Sequence, residues 1–74
     1  MDQAQHHQQQ LEFQEYQQAR NKLLAEMLSH IDIIKVYEGS QYLEGQIRRQ
    51  RSIEELIRVR DEYQQLQDQF WGRK

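Results

Sequence analysis

Ser29, His30 and Asp32 bring together the side-chain types of a nucleophile, a base and an orienting acid. On a helix, neighbours in sequence splay around the axis, so these three cannot form a catalytic triad. A partly buried or rim position suits His30 better than a catalytic one. His6 and His7, with Asp2 nearby, could offer metal ligands, but adjacent residues do not make the i,i+4 pair that chelation on a helix needs. The sequence has no Gly-rich phosphate loop, no paired catalytic carboxylates and no metal-ligand spacing. A chain of 74 residues also has little room for the concave pocket most catalysis requires. No enzyme activity and no cofactor are expected.

Two other groups of residues point to binding instead. Arg48, Arg49, Arg51, Arg58 and Arg60 form a basic cluster, and each guanidinium presents a planar fork of donors suited to carboxylates and phosphates. Glu44, Glu54, Glu55 and Asp61 are interleaved with them, which favours a solvated face with local ion pairs. Among functional uses, pairing with an acidic subunit edge outranks contact with DNA, because a DNA-facing surface would be less diluted by carboxylates. Trp71, the single tryptophan, adjoins Phe70. It lies either over the first helix as core or outward as an anchor, since Trp and Arg are enriched at binding hot spots.

The elements that must position these residues are helical. Gln makes up about a fifth of the chain and there is no Pro. Because Gln alternates with periodic apolar residues and charges, it reads as helix surface rather than as a disordered tract. Residues 1–10 lack apolar periodicity and form a frayed end or a polar extension of the first helix. From Leu11, the residues Phe13, Tyr16, Leu23, Met27, Ile31 and Ile34 recur at helical spacing, with Leu24 and Leu28 widening the stripe. Gly39 is placed to end this helix in the left-handed conformation. The β-branched run from Ile31 to Tyr37 would also suit a strand. Phe13 and Tyr16 either overhang the second helix as an intermolecular contact or fold back on Phe70 and Trp71.

Between the helices, Glu44-Gly45 reads as the turn of a short β-hairpin. Ser52-Ile53-Glu54-Glu55 reads as a capping box that opens the second helix, with Glu55 reaching back to the Ser52 amide. Leu56, Val59, Tyr63, Leu66 and Phe70 then alternate steps of three and four, as in a coiled-coil seam. The expected fold is mostly α: a long helix, a short β-hairpin and a second helix, forming one domain over 11–71 with a basic tail at 72–74. Gly39, Gly45, Ser52 and Glu55 are its structural residues. Partner contacts are expected at Phe13, Tyr16, Arg48, Arg49, Arg51, Phe70 and Trp71.

The chain lacks Cys, so no disulfide or thiolate site staples it. A core of this size contributes only about 3–5 kcal/mol, which makes self-association or a partner the expected source of further stability. The net charge of −2 opposes general nucleic-acid binding. No apolar run can span a bilayer and the N-terminus has no signal-peptide pattern, so the cytosol is the expected location.

The stretch from Gly39 through Tyr42, Gly45, Ile47 and Ser52 to Leu56, followed by Arg58 to Leu66, resembles the small head–tail joining proteins of tailed bacteriophages, of the lambda W type. The resemblance spans about residues 20–70. It implies an α-β-β-α protein that assembles in a ring beneath the portal, with portal or neck subunits and its own copies as partners. The implied locations are the host cytoplasm and the virion. The short strands, the three-residue tail and the Gln-rich first helix depart from that pattern. On these grounds a structural assembly protein, a head–tail connector component, leads. A small dimeric helical module that binds and masks a partner protein is the alternative, and a DNA-binding helical protein the third reading.

Overall fold

The computed structural model describes residues 2–72, with side chains from Gln9 onward. His6 and His7 as ligands, and Arg73 and Lys74 of the expected basic tail, lie outside those described side chains and residues. Two helices, α1 (Asp2–Val36) and α2 (Leu43–Trp71), form an antiparallel hairpin, with no strand among the described residues. The rod measures 63 × 18 × 12 Å. Its radius of gyration, 17.6 Å, far exceeds the roughly 11 Å of a compact domain of this length. A rod has much surface and little interior. Among the described side chains, only Tyr16 and Val59 are large, apolar and buried.

The expected β-hairpin is absent, and residues 43–51 are helix. Nothing in Leu43–Arg51 interrupts a helix except Gly45, and Arg and Gln are good helix formers. Two very short strands alone would be marginal, whereas a continued helix keeps packing against α1. Residues 31–36 also belong to a helix, so the strand alternative for that run falls too.

The capping box does not form. The second helix starts nine residues before Ser52, with extended Tyr42 (φ −87°, ψ 137°) as its N-cap. Ser40 does part of the work expected of Ser52: its Oγ accepts from the Tyr42 amide at 3.3 Å. The Gln46 side-chain amide donates to the Ser40 carbonyl at 3.1 Å and braces the turn. Ser52 lies mid-helix and buried, while Glu55 accepts from Arg58 at 3.1 Å instead of reaching back.

One regularity explains where the chain really packs. On α2 the seam runs Gly45, Arg49, Ser52, Leu56, Val59, Tyr63, Leu66 and Phe70, in alternating steps of four and three. On α1 it runs Tyr16, Arg20, Leu23, Met27, His30, Ile34 and Tyr37 with the same steps, and every one of these residues is buried or half-buried. This is the spacing of a coiled coil, closed on itself within one chain. Tyr16 stacks on Phe70 with ring centroids 4.2 Å apart, which sets the register at the open end.

The connector closes the other end. The Tyr37 amide donates to the Ile33 carbonyl at 3.1 Å, and the Ser40 amide to Tyr37 at 3.1 Å. Gly39 turns the chain at φ +72°, a conformation that costs other residues about 1–2 kcal/mol. Gly45 is needed for another reason: a Cβ there would stand 2.3 Å from Ser40 Oγ and 2.9 Å from Ser40 Cβ.

Candidate docking surface

A two-helix hairpin has a seam and two sides, and here the sides differ in chemistry. Along an antiparallel pair, the residues just after each seam position on one helix share a side with those on the other. One side carries Glu15, Lys22 and Glu26 from α1 with Arg48, Arg51, Arg58 and Glu62 from α2. Shallow grooves of about 310–330 Å³ run along it, lined near the middle by Lys22, Glu26 and Glu62 and near the connector by Ile33, Arg48 and Arg51. Arg58 lies between Glu55 and Glu62, with oxygens at 2.5 and 3.7 Å. The Glu55 carboxylate, by hydrogen bond and charge, raises the Arg58 pKa above its ordinary value.

The opposite side is almost free of charge. At its centre Leu24, Leu28 and Ile31 of α1 lie beside Ile53 and Ile57 of α2. Leu28 is 63% exposed and Ile57 55%, although both are large and apolar. Amides flank this centre: Gln14, Gln17 and Asn21 on α1, and Gln46, Gln50, Gln64 and Gln67 on α2. Within the helices only Lys35 and Arg60 bring charge to this side. Exposed apolar side chains are ordinary when scattered, but five on one side bordered by amides make this side the candidate docking surface.

The residues expected to bind partners separate in this geometry. Phe13, Tyr16, Phe70 and Trp71 come together and lock the open end. Trp71 meets Phe70 edge-on at 4.8 Å and Tyr16 at 5.8 Å, and Phe13 lies 6.1 Å from Phe70. Tyr16 Oη donates to Gln67 Oε1 at 2.8 Å and accepts from Trp71 Nε1 at 3.0 Å. Of the two placements open to Phe13 and Tyr16, this is folding back. The Arg20 guanidinium sits 5.7 Å from the Tyr16 ring centroid, within cation–π range.

The basic cluster disperses. Arg48 reaches the Tyr37 hydroxyl at 3.5 Å, and Arg51 lies one turn on along the charged side. Arg49 enters the seam, and Arg58 and Arg60 flank buried Val59 on opposite sides. Three of the five, Arg48, Arg51 and Arg58, thus share the charged side, and the other two do not. Gly39 and Gly45 shape the connector, Ser52 lets the helices approach, and Glu55 holds Arg58.

The seam and its border carry polar atoms with no partner in the structure: Arg20 Nε, His30 Nδ1 and Arg49 Nε in the seam and Gln67 Nε2 beside it are buried without a hydrogen bond. Polar seam residues lower stability while fixing register and partner choice. His30 is half-buried at a seam position, whereas Ser29 and Asp32 are exposed, so the three do not converge. Among the described residues no group of three acidic, His or Cys side chains could hold a metal ion. No helix among them is long and apolar enough to cross a membrane.

Sequence reasoning puts Leu24 and Leu28 in the core-facing stripe, whereas the structure leaves both exposed beside the seam. The signal was present: both fall outside the four-three steps that Tyr16, Leu23, Met27 and Ile34 keep. The strand pair around Gly45, on which the likeness to head–tail joining proteins chiefly rested, is replaced by helix. Comparison with protein families, curated proteins and solved structures finds no match.

Proposed function

We propose that the chain is a non-catalytic protein-interaction module, a helical hairpin that works by docking its uncharged side on protein. The segregation of charge carries this reading. One side of the two-helix region carries Glu15, Lys22, Glu26, Arg48, Arg51, Arg58 and Glu62, with Asp32, Glu54, Asp61 and Asp68 on the outer faces of the helices, while the other side offers five aliphatic side chains framed by amides. Such a layout gives an apolar centre and a polar rim able to hydrogen-bond, the anatomy of a protein interface. Arg48, Arg51 and Arg58 share the charged side with Glu15, Glu26, Glu55 and Glu62, and Arg49 and Arg60 lie elsewhere, which opposes the strongly basic face a nucleic-acid contact would need. A head–tail connector is one narrower form of this role; without the strand pair, the general form is the better supported.

A photo-crosslinking amino acid placed at Leu28, and separately at Gln65 on the charged side, tests the reading in cells that make the protein. Specific adducts are expected from position 28 and not from position 65. Equal labelling from both, or none from 28, would overturn it.

A further inference from the structure

We infer that the uncharged side is an interface between two copies of this chain, related by a dyad that crosses α2 at Ile57 and builds an antiparallel four-helix bundle. The inference rests on the docking reading above and names its occupant.

The first argument is the sequence of α2 read outward from Ile57 in both directions. Seven residues away on either side stand Gln50 and Gln64; fourteen away stand Leu43 and Trp71. A seven-residue step is nearly two helical turns, so all five residues lie along one exposed line. A dyad through Ile57 exchanges the two directions. It therefore sets Gln50 opposite Gln64 of the copy and Leu43 opposite Trp71, amide on amide and apolar on apolar. Isologous contact requires this kind of self-matching.

Charge is complementary under the same operation. Arg60 stands three residues after Ile57 and Glu54 three before it, so each Arg60 comes level with the copy's Glu54, which borders this side from the outer face of α2. The alternative dyad, along the rod, would lay α1 on the copy's α2 and bring Asp32 level with Glu54, two like charges along the outer border of the contact. Lys35 on α1 comes near Asn21 of the copy, a neutral neighbour.

Position and area agree with this assignment. Ile57 lies midway along α2 between Gly45 and Phe70, and Leu28 midway between Tyr16 at the open end and Ser40 in the connector. A central dyad thus overlaps the whole two-helix region of both copies. That region is about 42 Å long and 18 Å wide. The resulting footprint, about 750 Å² per copy, is close to the roughly 800 Å² per partner of a standard stable interface.

Sedimentation equilibrium across low to high micromolar concentration tests the inference on the full chain. The expected mass is twice that of the 9.1 kDa chain. Ile57→Glu places two carboxylates face to face at the dyad and should weaken the dimer about 100-fold or more, with helical circular dichroism retained because the side chain is exposed in the single hairpin. Arg60→Glu and Glu54→Arg should each weaken it, and the double exchange should restore it.

Because the chain has no Cys, Ile57→Cys gives a second readout that does not depend on tolerating a buried charge. Mild oxidation should join two copies at this position and leave Gln65→Cys single. A trimer or larger species, or a dimer indifferent to Ile57→Glu and uncrosslinked at Ile57→Cys, overturns the dyad. A single-chain mass at every concentration also overturns it, while the docking reading then stands or falls on adducts of other masses from Leu28.

Discussion

The two ends of the hairpin hold the helices together by opposite means. At the open end, bulk does it: Tyr16, Phe70, Trp71 and Phe13 fill the space between chains that are no longer joined by a turn. At the connector, the absence of bulk does it, because Gly45 lets Ser40 come within reach and Ser52 is the small residue two seam steps on. The same coiled-coil spacing runs through both ends. A period therefore fixes which residues meet, while their sizes fix how closely. Removing atoms should harm the open end, and adding them should harm the connector.

Tyr16→Ala breaks the comparison at its strongest point. Tyr16 is 4% exposed and stacked on Phe70. Truncating a buried aromatic costs about 3–5 kcal/mol, comparable with the whole stability of a chain this size. Thermal melts by circular dichroism, at one fixed protein concentration because self-association shifts the midpoint, should show a largely unfolded protein at 25 °C. Gly45→Val is the converse. The new side chain meets Ser40 Cβ and the Tyr37 ring, and overpacking of this kind costs about 1–3 kcal/mol.

A finer version separates sterics from helix propensity. Gly45→Ala gains about 1 kcal/mol of propensity inside α2 but places a Cβ against Ser40. Alone it should be neutral or destabilising. In a Ser40→Gly background the two contacts with Ser40 vanish and only the Tyr37 ring, 3.1 Å away, has to give, so the same substitution should be less costly than in the native chain or stabilising. A coupling of about 1 kcal/mol in the double-mutant cycle is expected; strict additivity would show that the connector relaxes freely and that Gly45 is not there for closeness.

These size effects also explain what the sequence disclosed. The two helices, the Gly39 turn and the seam from Leu56 to Phe70 follow from periodicity and from one left-handed glycine, which are local properties. The seam's continuation through Ser52, Arg49 and Gly45 was hidden because a small or charged residue at a seam position carries no hydropathy signal. Gly45 therefore reads as a turn and Ser52 as a cap, roles that glycine and serine fill more often. Distinguishing a packing glycine from a turn glycine requires knowing what lies opposite, and Ser40 and Tyr37 become neighbours only after the chain has closed. The docking side suffered similarly: Leu24 and Leu28 are apolar, and only the facing helix reveals that the seam passes them by.

Tyr16→Phe is the smallest and most specific probe of the open end. It keeps the ring, and with it the stack on Phe70, but removes the hydroxyl that donates to Gln67 and accepts from Trp71. Trp71 is 62% exposed, so water can replace its lost acceptor, whereas Gln67 is half-buried and has less access to water. The net cost should be that of one hydrogen bond, about 1 kcal/mol, well below that of Tyr16→Ala. Trp71 fluorescence offers an independent readout, since freeing the indole from Tyr16 should shift its emission to the red without loss of helicity. If Tyr16→Phe instead destabilised as much as Tyr16→Ala, the open end would be held by its hydrogen bonds rather than by bulk, and the contrast between the two ends would fail.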